Sequence, residues 1–122
     1  MNALRDIISG ALIAAACSTA FATTSLSFEA SGHLLDFEIG DADRPVVAGV
    51  MVSLPGRKQP VMLRPPLLSV EVFDPKKRIL AVRFKNPADP ALPPGFSFAV
   101  RRETGVLRIQ GQSFKGPFQW ER

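Results

Sequence analysis

Tyrosine is absent from this 122-residue chain, and cysteine, histidine and tryptophan occur once each. Each shortage removes a class of chemistry. Zinc needs three or four His, Cys or carboxylate ligands, and His33 stands nearly alone. His33 with Met51 and Met62 could form a soft copper(I) set, but both methionines sit in apolar runs that core packing explains. Asp41 and Asp43, with Glu38 upstream, lack the ordered ligand spacing of a calcium loop. No metal or other cofactor is expected. Ser97 and Ser113 lack the G-x-S-x-G setting of an activated nucleophile. Asp36 and Glu38 share a strand face, but that spacing is ordinary for a solvated surface. With no Tyr to stack bases, nucleic acid is not an expected partner. Sugar binding has only Trp120, which reads as a core residue of the final strand, two positions after Phe118.

The single cysteine also falls outside the folded part. Arg5 opens a short polar start, and Ile7 to Ala16 is apolar but too short for a membrane-spanning helix. Ala20-Phe21-Ala22 then matches an A-x-A cleavage site, so residues 1–22 read as a secretory signal peptide and 23–122 as one domain. A lipid-anchored chain cut before Cys17 is disfavoured, because Ala14-Ala15-Ala16 lacks the large aliphatic residue that usually begins such a site. Cutting after Ala22 removes Cys17, and no disulfide can form. Arg5 and Asp6 cancel, so the net charge stays at +4. A basic balance of that size favours acidic partners without requiring one.

Apolar alternation with a period of two dominates what remains, and no window shows helical periodicity. Leu67 to Lys85 is the clearest case. Leu68, Val70 and Val72 alternate with Ser69, Glu71 and Phe73, and Leu80, Val82 and Phe84 with Ala81, Arg83 and Lys85, around an Asp74-Pro75 turn start. A three-residue loop, Pro75-Lys76-Lys77, would pair Val72 with Leu80, Val70 with Val82 and Leu68 with Phe84. Lys77 would then adopt the left-handed conformation.

Upstream, a Ser31-Gly32 turn would pair Phe28 with Leu35 and Leu26 with Phe37, setting His33 opposite Ala30 as an exposed turn residue. Pro45 to Leu54 has Val46, Val50 and Val52 on one face and Val47 and Met51 on the other, the mark of a central strand with Gly49 at a bulge or close approach. Val61 to Arg64 is a short strand ending at Pro65-Pro66, hence at a sheet edge or crossing.

Downstream, Asn86 to Gly95 reads as a proline-rich crossover between sheets. An Arg102-Glu103-Thr104-Gly105 loop would pair Val100 with Leu107 and Phe98 with Ile109. The last arm carries Phe114, Phe118 and Trp120 on one parity, interrupted at Gly116-Pro117. The fold class is all-β: a single-domain antiparallel sandwich or barrel of about seven to nine short strands.

By elimination the sequence describes an exported, non-catalytic binding or structural module of a cell envelope, with a basic surface. A small periplasmic inhibitor of a hydrolase is the alternative. A small hydrolase using His33, Asp36 and Glu38 ranks below both. The candidate binding residues are Lys76, Lys77 and Arg78 at the hairpin tip, with Arg83 and Lys85 continuing along one outward face. The expected partner is an acidic envelope component or an envelope protein, with no membrane span. Nothing in the sequence sets the oligomeric state.

Overall fold

The computed structural model describes residues 24–41 and 43–120, and every regular element in it is a strand. These are β1 (Thr24–Ala30), β2 (His33–Asp41), β3 (Pro45–Ser53), β4 (Val61–Leu63), β5 (Leu68–Asp74), β6 (Ile79–Phe84), β7 (Phe96–Arg101), β8 (Thr104–Ile109) and β9 (Gln112–Gln119). They form one nearly closed, barrel-like antiparallel sheet of nine strands in the order β4-β3-β2-β1-β9-β8-β7-β6-β5. The leader expected at 1–22 lies outside the described residues. Among those described, no helix is long and apolar enough to cross a membrane.

Sheet neighbours are sequence neighbours everywhere except where β1 meets β9, with Ser27 opposite Gln119 and Phe28 opposite Phe118, and β4 and β5 are the one consecutive pair that does not share a ladder. Eight antiparallel steps separate β4 from β5, so these two edge strands point the same way. Only residues 64–67 lie between them, with a cis Pro65–Pro66 bond and a Leu68 N–H bonded to the Arg64 carbonyl at 3.1 Å. The chain therefore crosses from one edge of the sheet to the other along a single kinked line. Its first half pairs with β3 and its second with β6.

Phe28, Phe37, Phe84, Phe98 and Phe118 fill the interior with Leu, Ile and Val from β1 to β8, β9 contributing Phe118 alone. No polar or charged side chain is buried among the described residues. Such an interior is packed core, stabilised by roughly 1.5–3 kcal/mol for each large apolar side chain fully removed from water.

The register agrees with the sequence expectation in some places and departs from it in others. Phe28 faces Leu35, Leu26 faces Phe37 and Ala30 faces His33 across a turn whose Ser31 and Gly32 have φ of 49° and 80°. Both positive angles belong to the primed turn that matches strand twist. Leu68–Phe84 and Val70–Val82 also pair as expected. A bulge between Val70 and Val72 then shifts the ladder, so Phe73, not Val72, faces Leu80. The turn lengthens to Pro75–Arg78, and Arg78 rather than Lys77 takes the left-handed conformation, at φ 58°.

A second irregularity, between Glu38 and Ile39, sets Glu38 opposite Gly49 and Ile39 opposite Val47. The extra residue in β3 turns Val47 into the core beside Val50 and Val52, while Val46 is exposed. Alternation alone had placed Val46 and Val47 the other way round. Gly49 does mark a close approach: a Cβ there would meet the Leu63 carbonyl at 3.0 Å.

Between β7 and β8 the expected four-residue loop is a two-residue turn, Arg102-Glu103, with φ 60° at Arg102. Val100 faces Gly105, Phe98 faces Leu107 and Phe96 faces Ile109. Gly105 faces inward, where no Cβ fits: one would stand 2.8 Å from Phe28 and 2.9 Å from Phe98. Gly116-Pro117 does not interrupt β9, which runs through both. Residues 86–95 join the adjacent strands β6 and β7, so they form a long hairpin loop and not a crossover between sheets. Asn86 folds that loop, donating to the Pro93 carbonyl at 2.8 Å and accepting from the Asp89 N–H at 2.7 Å, while Pro93 itself is buried.

Candidate functional site

The strand directions place the turns 75–78 and 102–103 at the same end of the barrel, and two bonds fuse them. The Arg102 N–H donates to the Arg78 carbonyl at 2.8 Å. The Arg78 guanidinium donates through Nη1 to Glu103 Oε2, also at 2.8 Å. Within the first turn, Asp74 Oδ1 accepts from the Lys77 N–H at 3.2 Å, the local bond that makes Asp suitable there. The fused pair of turns presents Lys76, Lys77, Arg101 and Arg102, all exposed. None of those four enters an ion pair among the described residues.

The five candidate cations therefore separate. Lys76 and Lys77 stand exposed at the tip, and Arg78 is beside them but neutralised by Glu103. Arg83 lies farther along β6, with its Nε 3.2 Å from Glu71 Oε2. Lys85 follows β6 at the opposite end, roughly 20 Å from Arg78 at about 3.3 Å per residue. In place of Arg83 and Lys85, the fold brings Arg101 and Arg102 to the tip. Their sequence signal was only their basic character, since the turn-to-turn bond joins residues 24 positions apart.

Beside the fused turns is an open cleft of about 410 Å³, lined by Arg78, Glu103, Pro117, Phe118, Gln119 and Trp120. Trp120 is half-buried and flanks the core, so its expected place inside the final strand's core is corrected. Its indole packs edge to face on Phe118, with ring centres 4.8 Å apart. Its Nε1–H donates to the Arg102 carbonyl. These contacts fix the ring from two sides.

The hydrolase candidates do not converge. His33 is half-buried and not an exposed turn residue. It stacks on Phe114 at 4.1 Å, and its Nδ1 lies 3.1 Å from the carbonyl oxygens of both Ala30 and Ser31. Glu38 is paired with Arg64 at 3.0 Å. Asp36 faces Ser27 and Met51 across the strands. Met51 pairs with Met62 across β3 and β4, away from the His33 stack. Among the described residues, no three His, Cys, Asp or Glu side chains gather into a metal-holding group. Compared with protein families, curated proteins and solved structures, the chain matches none of them.

Proposed function

We propose that this chain is an exported, non-catalytic binding module of the cell envelope, and that its cationic barrel end takes an acidic partner. The observation that carries this reading is the fusion of the 75–78 and 102–103 turns. It gathers Lys76, Lys77, Arg101 and Arg102 at one end, while Glu103 neutralises only Arg78. Four like charges held at one rim create a field that steers anions and weakens as salt screens it over about 8–10 Å. The wholly apolar interior adds support, since it sends every charged side chain of the described barrel to the surface.

Two measurements test the reading. Lys76→Glu with Lys77→Glu should abolish retention of the protein on envelope material at low ionic strength. Because both side chains are exposed, stability should change by no more than about 0.5 kcal/mol per site. Unchanged retention with an intact fold would remove the cationic end as the binding element. For the export half of the proposal, intact-mass measurement of secreted material should show a chain that begins at Thr23. A lipid-modified product retaining Cys17 would replace that part of the reading with a membrane anchor.

A further inference from the structure

We infer that the cleft beside Trp120 is a saccharide subsite, and that the ligand of the cationic barrel end is a sugar carrying an anionic group. The inference rests on the proposed acidic-partner reading and names the chemistry of that partner. Its first support is the fixed aromatic surface. A pyranose ring presents axial C–H groups on at least one face, which packs on a rigid aromatic side chain that is neither fully buried nor free to rotate. Trp120 meets both conditions, held by Phe118 on one side and by the Arg102 carbonyl at its indole nitrogen.

The second support is the polar set around that ring. Glu103, Arg78 and Gln119 line the same cleft, supplying a carboxylate acceptor, guanidinium donors and an amide that both donates and accepts. The Arg78–Glu103 pair is 42% and 68% exposed at its side chains, so both groups remain within reach of a ligand. Sugar hydroxyls, each both donor and acceptor, match such a mixed lining. The cleft, of about 410 Å³, is shallow and open to solvent, so a ligand there would be held along one face and not enclosed.

The third support is charge. Glu103 is already neutralised by Arg78, while Lys77 and Arg102 adjoin cleft residues in sequence and, with Lys76 beyond Lys77, stand exposed. An uncharged sugar would leave those cations unused. A carboxylate, sulfate or phosphate on the sugar would meet them. A lipid surface would engage the cations but not the concave polar cleft, and a single-stranded nucleic acid would need more than one stacking ring.

Trp120 is the chain's only tryptophan, so its fluorescence reports on this cleft alone. The test titrates the protein with oligosaccharides bearing carboxylate, sulfate or phosphate, each beside its uncharged parent, and with polyaspartate and anionic vesicles. A saturable fluorescence change is expected for at least one acidic oligosaccharide, with affinity at least about tenfold above that of its uncharged parent. By calorimetry, Trp120→Ala should remove that binding. Gln119→Ala, at an exposed position that keeps the fold, should weaken it several-fold. Lys76→Glu with Lys77→Glu should erase the preference for the charged form. Polyaspartate or vesicles binding as well as every saccharide, or saccharide binding insensitive to Gln119→Ala, would overturn the subsite and leave the cationic end standing. Failure of all anions to bind would overturn both.

Discussion

Phe98→Ala is expected to cost roughly 3–5 kcal/mol of folding stability. Phe98 is 1% exposed, and its ring centre lies 4.7 Å from that of Phe28, 5.5 Å from Phe37 and 5.9 Å from Phe118. It thus touches rings from three other strands, and truncation opens a cavity that strands fixed by ladders on both sides cannot collapse to fill. Total stability of a domain is typically about 5–15 kcal/mol, so the variant should approach marginal folding. Urea denaturation followed by far-ultraviolet dichroism measures this. A loss below about 1 kcal/mol would mean that the Phe98 ring is not held by this cluster.

The second large effect is expected at Gly116, for the opposite reason. A Cβ there would stand 2.6 Å from the Glu29 carbonyl oxygen and 3.0 Å from the Ala30 Cβ. Neither atom can turn aside, because the first is backbone and the second is fixed to it. Gly116→Ala must therefore push β1 away from β9 where the wall closes. Overpacking typically costs about 1–3 kcal/mol, and opening the β1–β9 contact places this variant at or above the top of that range. Gly40→Ala is the control, since the nearest atom to its Cβ would be 3.7 Å away, an ordinary contact. Amide exchange should show β1 losing protection in Gly116→Ala and keeping it in Gly40→Ala. Equal protection in the two variants would contradict the close approach.

What the sequence revealed was governed by local rules. Ser31-Gly32 specified a two-residue turn, and that turn fixed the β1–β2 register, since a slip by one residue would turn Leu26 and Phe28 outward. Parity gave the inward faces of β6, β7 and β8 correctly, even where the β7–β8 loop length was wrong, because the error was an even number of residues.

Bulges were illegible for the same reason. One extra residue near Ala48 or at Glu71 inverts the parity of everything beyond it, and apolar residues on both sides, as in Val46-Val47 and Val72-Phe73, hide the switch. The left-handed positions at Arg78 and Arg102 carried no warning, because neither residue is Gly or Asn. The candidate site was half legible. Lys76 and Lys77 announced themselves as a charged turn. Glu103 reaches Arg78 and Trp120 reaches Arg102 only when β6 to β9 stand side by side, contacts that no local pattern records, and the closure of the wall where β1 meets β9 is just as non-local.

That closure also sets an order of events. Each strand finds a neighbour next to it in sequence, but the outer edge of β1 is completed only by β9, so Ser27 waits for Gln119. At a synthesis rate of about 5–20 residues per second, that wait lasts roughly 5–20 s. Until it ends, Phe28 has hairpin partners but neither Phe98 nor Phe118 against it, and β1 keeps an unpaired edge. No early portion of the chain can seal the core by itself. Closing last leaves the growing polypeptide an open chain until most of its length has been made, so the edge of β1 and the apolar faces of the early strands stay unsealed for that whole interval.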